Sequence, residues 1–144
     1  MVVQLDLSSV NLLGVLLGSF ADFCLCYIWF DILFPKQILK HCGWTEEEAK
    51  KNSAKFHTGR NLLTAYTTKF ITAFVLALVV HSLEITTTFG VLKLCAILWF
   101  GFMATVSMNE VLWHGEKFEY YLVNQIGFLV CSLGMAFIYS LIAL

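Results

Sequence analysis

The sequence predicts an all-α integral membrane protein, a four-transmembrane-helix bundle forming a single membrane domain over residues 1–144. Three observations lead there. The first is composition: 59% of residues are hydrophobic, only 13% are charged and mean hydropathy is +0.78, whereas soluble domains carry roughly 25% charged residues. The second is distribution, since the apolar residues gather into four blocks at 11–34, 62–83, 89–113 and 120–144. Each block has the twenty or so residues that a helix needs to cross about 30 Å of hydrocarbon. The third is the lack of period-two alternation in any block, which a membrane barrel would require. Helices satisfy their backbone internally and are the default in lipid.

The first block follows "MVVQLDLSSV", a leader with Asp6 and no Lys or Arg. That is the wrong sign for a secretion signal, so the block is expected to remain as a helix. Within it, Gly14, Gly18 and Asp22 recur four apart. A small-residue stripe lets helices approach closely, so Asp22 should point into the bundle. Ionisable residues at membrane depth are costly and are site candidates by default; for Asp22 a structural polar contact is the favoured reading and a proton or cation site the alternative. Lys69, in the second block, is the candidate partner, although its estimated depth differs by one helical turn, roughly 5 Å.

The first connection, 35–61, holds Lys36, Lys40, Lys50, Lys51, Lys55 and Arg60, and the third, 114–119, holds Lys117. Only Lys93 lies near the second connection. Positive-inside logic therefore places 35–61 and 114–119 on the cytosolic side and both termini opposite. Trp29, Trp113, Tyr120 and Tyr121 near that boundary suit an aromatic belt. Within "GWTEEEAKK", Thr45 and Glu48 have the spacing of a capping box and predict a helix start. Trp44 and the Ile38–Leu39 pair suggest that the connection lies on the membrane surface. A solvated face is the leading account of its charges and docking of a cytosolic partner the alternative; Cys42 within it, next to the membrane, is a candidate for palmitoylation.

The second block carries Thr64, Thr68 and Thr72 four apart, with Thr67 beside them. Such hydroxyls most often bond backbone one turn back or a neighbouring helix; a pore lining, in one candidate polar site with Asp22 and Lys69, is the sharper alternative. Gly101, Thr105 and Asn109 form a small stripe on the third block, and Asn124, Gly127, Cys131 and Gly134 form one on the fourth. Asn109 and Asn124 stand at similar distances from the break between the blocks. Equal rise per residue predicts an Asn109–Asn124 clasp across an antiparallel pair, with a solute-binding pair as the alternative. The short connections "EITTT" and "HGEKFE" make the second and third helices, and the third and fourth, expected neighbours.

"DILF" at 31–34 and "EVLW" at 110–113 share the order acid, β-branched, Leu, aromatic, each followed by a Lys. This suggests a parallel repeat of two helical hairpins. The five cysteines contain no CxxC pair and no disulfide framework; small apolar fillers are the expected role for those inside the blocks. His41, His57, His81 and His114 fall in no metal-ligand spacing. No phosphate loop, dinucleotide fingerprint or nucleophile elbow occurs, and no basic aromatic surface suits nucleic acid. The expectation is a non-enzymatic protein without cofactor, whose partners are membrane lipids and further copies of itself. A small channel or transporter for ions, protons or a small solute is the alternative.

Two segments, "YIWFDILFPKQILKHCGWTEEEAKK" and "LWFGFMATVSMNEVLWHGEKFEYYLVNQIGFLVCSLGMAFI", together resemble the domain-of-unknown-function 1761 family. The second matches that family's pattern through Gly101, Phe102, Asn109, Leu112, Gly115, Asn124, Gly127 and Leu133. Where the family often shows Ser-Pro, this chain has Asp31-Ile32, and its single proline is Pro35. The resemblance implies a small four-span membrane protein and carries no biochemical activity with it.

Overall fold

The computed structural model describes residues 10–144; the leader reading therefore lies outside the described residues, apart from Val10. Four helices are long and apolar enough to cross a membrane: α1 (Leu12–Leu33), α4 (Gly59–Ser82), α5 (Thr88–His114) and α6 (Phe118–Ala143). Two short helices, α2 (Pro35–Cys42) and α3 (Glu46–Phe56), form the first connection. The described residues contain no strand.

Local chemistry sets the helix ends. Asn11 caps α1 by accepting from the Gly14 amide at 3.0 Å, and Thr87 caps α5 by accepting from Gly90 at 3.2 Å. Pro35 occupies the first turn of α2, where its missing N–H is no loss. Gly43 and Gly115 end α2 and α5 at φ 67° and 70°, a left-handed conformation that glycine adopts without a Cβ penalty. The Thr45–Glu48 capping box forms as expected: the Thr45 amide donates to Glu48 Oε2 at 2.8 Å, and the Glu48 amide to Thr45 Oγ1 at 3.3 Å.

The spans pack in the lateral order α4, α1, α6, α5, with the most extensive contact between α1 and α6. Glycines explain that closeness. A Cβ at Gly18 would lie 3.0 Å from the Met135 carbonyl, and one at Gly14 would lie 3.1 Å from the Tyr139 ring. From the other side, Gly134 accommodates Leu25, and Gly127 accommodates Trp29 and Phe30. The α6 stripe thus receives α1, not α5, which corrects the expected pairing of the two stripes. The second expectation, that α4 and α5 would pack as neighbours, also changes. Their contact is slight, and a groove of about 430 Å³ opens between them, lined by Ile71, Val75, Leu98, Phe102, Ser132 and Met135 among others.

Both α1 and α5 contain a π-helical turn, at Ile28–Leu33 and Trp99–Ala104 respectively. A π turn adds a residue to the helix and shifts the downstream residues by about 100° in helical phase. The inward face of α5 accordingly runs through Val91, Cys95, Trp99 and Ala104. An unbroken α-helix would instead turn Phe102 and Val106 inward; they are 72% and 59% exposed. "DILF" begins inside the first π turn, whereas "EVLW" lies beyond the second. The two halves therefore share a backbone device at different registers of the motif.

The first and third connections meet at one end of the bundle. His41 stacks on Tyr120 with ring centroids 3.6 Å apart, Lys40 lies 3.6 Å from Glu119, and His41 lies 3.7 Å from Glu116. At the other end, the Asn11 side-chain Nδ2 donates to the Ile142 carbonyl at 3.4 Å, beside the α4–α5 connection.

Candidate functional site

The buried face of α1 runs through Gly14, Val15, Gly18, Ser19 and Asp22, so the four-residue spacing does turn Asp22 inward. Its side chain is 2% exposed and its Oδ1 lies 3.2 Å from Lys69 Nζ, whose side chain is 21% exposed. The expected partner is the actual one. The long lysine stem spans the depth difference, and the ammonium lies 5.4 Å from the centre of the Phe128 ring on α6, a cation–π contact. Three helices therefore converge on one buried ion pair.

Two thiols complete this centre. Cys26 stands one turn beyond Asp22, and its Sγ donates to Asp22 Oδ1 at 3.3 Å. Cys131 reaches in from α6, so that a ligand atom from each of Asp22, Cys26 and Cys131 falls within 4.8 Å of the others. One helical turn toward the N-terminus, the Ser19 hydroxyl donates to the Leu16 carbonyl at 2.9 Å and lies 3.3 Å from the Tyr66 hydroxyl. Written as a carboxylate–ammonium pair with two thiols, the centre sums to zero charge, the arrangement that a medium penalising net charge tolerates.

The cysteines were legible only in part. Cys131 sits on the α6 small stripe, and Cys26 extends the series Gly14, Gly18, Asp22 by one more four-residue step. That series was the available signal. Nothing in the sequence said that α1 and α6 would be the pair brought face to face.

The threonine ridge does not join the site. Thr64, Thr68 and Thr72 are exposed, and each hydroxyl donates to its own helix: to Arg60 at 2.9 Å, Ala65 at 2.7 Å and Thr68 at 3.0 Å. The alternative of a polar path built from Asp22, Lys69 and this ridge is not assembled, because the ridge occupies the outward face of α4.

The Asn109–Asn124 clasp is likewise absent among the described residues. Gly101, Thr105 and Asn109 are all exposed, with no atom within 4 Å of a Cβ built on Gly101. The phase shift of the π turn puts that stripe on the outer surface. Other groups fasten α5 to α6: the Tyr121 hydroxyl donates to the Ala104 carbonyl at 2.8 Å, and the Trp99 indole to the Gln125 carbonyl at 3.1 Å. On the α1 side, the Trp29 indole donates to the Val123 carbonyl at 3.1 Å. Two residues expected in an aromatic belt, Trp29 and Tyr121, thus secure helix contacts through backbone carbonyls.

Four apolar helices of spanning length around a buried charge pair define a multi-pass integral membrane protein. The chain belongs to the family described as "Protein of unknown function (DUF1761)", whose family model matches residues 13–140. No curated protein and no solved structure matches it.

Proposed function

We propose that this protein is a non-enzymatic component of its membrane that works as a self-associating assembly, with α5 as the surface shared between copies. The observation that carries this reading is the outer face of α5. It is the least buried of the four spans, yet it displays Gly101, Thr105 and Asn109 in line, flanked by Phe100 and Phe102 at 65% and 72% exposure. In lipid, helix association rests on close packing and hydrogen bonds, and small or polar stripes favour both. A second copy supplies the same stripe, which permits a two-fold isologous contact. The adjoining groove between α4 and α5 has room for aromatic side chains from that copy. Lipids cover the remaining apolar faces.

In this reading, residues 35–61 and 114–119 face the cytosol, in keeping with their seven Lys and Arg residues. The amphipathic α2 and the acidic-to-basic α3 then present a charged platform there for a cytosolic partner. The test is the protein mass in lipid nanodiscs after subtraction of lipid. A dimer or larger is expected, reduced toward monomer by Gly101→Leu without loss of helicity. A wild-type monomer across a range of protein-to-lipid ratios sinks the proposal.

A second reading, a small carrier of protons or ions, is favoured by the Asp22–Lys69 pair at mid-span. It requires flux in proteoliposomes that Asp22→Asn abolishes. Absence of wild-type flux for protons and common ions, or flux unchanged in that variant, removes it.

A further inference from the structure

We propose that Asp22, Cys26 and Cys131 form a binding site for a single thiophilic divalent cation of the Zn²⁺ type, between α1 and α6. This goes beyond the self-association reading and does not depend on it. Several independent features of the centre point to such an ion.

The donor set comes first. Asp22 and Cys26 lie four apart on one helix, and Cys131 closes the set from the facing helix. The three ligand atoms lie within 4.8 Å of one another, and one edge is already 3.3 Å. Tetrahedral zinc with bonds of about 2.0–2.3 Å places its ligand atoms roughly 3.5–3.8 Å apart, so a small inward movement of side chains suffices. Two sulfurs select a soft or borderline ion over Mg²⁺ or Ca²⁺, which prefer oxygen. Three protein donors leave one position open for solvent.

Charge selects among the soft ions. With Asp22 as carboxylate, Lys69 as ammonium and both thiols carrying their protons, the metal-free centre sums to zero. A dication displaces the two thiol protons to water, leaving two thiolates, one carboxylate, one ammonium and the ion, which again sum to zero. A monovalent ion on the same ligands leaves a net negative charge in a buried place, which is costly. Lys69 thus has a role beyond pairing with Asp22: its ammonium balances the third anionic ligand.

Burial and backbone are consistent with a site held in shape. Asp22 is 2% and Cys131 1% exposed, while Cys26 is half-buried and so gives an approach. The π turn of α1 begins two residues after Cys26, at Ile28; such turns recur at functional positions. The other cysteines do not compete as a set. Cys42 is exposed in the first connection, and the Cys95 thiol donates to the Ser132 carbonyl at 3.4 Å.

The test uses the full chain in detergent, reduced and freed of metal, titrated with Cd²⁺ for its thiolate charge-transfer absorbance and with Zn²⁺ in competition with a chromophoric chelator. One ion per chain is expected. A variant with Cys24, Cys42 and Cys95 all changed to Ser should keep that stoichiometry. Cys131→Ser should weaken Zn²⁺ binding by at least about 10–100-fold, the loss that outer-shell changes alone produce. A measurement on the unaltered protein guards against misfolded variants: Zn²⁺ should slow maleimide labelling of Cys26 by about tenfold or more and leave Cys42 labelling unchanged. Absence of stoichiometric Cd²⁺ absorbance, binding that persists in the Cys26→Ser/Cys131→Ser double variant, or protection confined to Cys42 overturns the proposal.

Discussion

Removing the ammonium of Lys69 is the sharpest perturbation of this bundle. In Lys69→Met the long apolar stem is kept, and the Asp22 carboxylate, 2% exposed, loses its counter-charge. At 3.2 Å and an effective dielectric near 20, the lost attraction is about 5 kcal/mol. Measured losses on breaking buried pairs are about 3–5 kcal/mol, and this variant should fall in that range. Asp22→Asn should cost less, about 1–3 kcal/mol, because Lys69 is partly exposed and its stem can move the ammonium toward water. The double variant leaves neither charge and should be more stable than the sum of the two losses predicts, with a coupling of about 1–3 kcal/mol. Reversible unfolding in mixed micelles, followed by helicity or tryptophan fluorescence, provides the four corners of the cycle. Coupling below about 0.5 kcal/mol, within the range for independent sites, would refute the view that this pair organises the meeting of α1, α4 and α6.

Three further outcomes are expected. Gly134→Val meets Leu25 directly and should destabilise the α1–α6 contact by about 1–3 kcal/mol, whereas Gly101→Val, facing open space, should leave monomer stability in the same micelles nearly unchanged. Tyr121→Phe removes the hydrogen bond to the Ala104 carbonyl at a cost of about 0.5–1.5 kcal/mol; Asn109→Ala should stay within about 0.5 kcal/mol, and a larger loss there would revive the asparagine clasp. Bonds from the Thr45 amide and hydroxyl hold the Glu48 carboxyl below its ordinary range. Its contribution to α3 is thus full above the unfolded-state pKa and is lost as pH falls through the lower folded value. Amide-exchange protection of Thr45, corrected for intrinsic rates, should fall across that window and be flatter in Glu48→Gln.

Legibility in the sequence tracked how local each feature is. The capping box at Thr45 and Glu48 and the glycine stops at Gly43 and Gly115 depend on residues a few positions apart. The inward turn of Asp22 needed only a regular helix from Gly14 onward, and that part of α1 is regular. The α5 stripe failed because it was read across Trp99–Ala104 as though the helix were regular there. Once a π turn intervenes, Gly101, Thr105 and Asn109 no longer predict the packed face, and Ala104 takes it.

The sequence by itself determined the number of spans, their limits to within a few residues and the two groups of connections at opposite ends. Those arise from helix length against bilayer thickness and from the steep cost of charge in lipid, both readable along the chain. Tertiary structure decided which helices are neighbours. A short connection between α4 and α5 did not make them partners, because the glycines of α1 and α6 allow a closer approach and draw those two helices together. That choice also set Cys131 beside Cys26 and Asp22, joining residues from opposite ends of the chain into one buried centre that no local pattern contains.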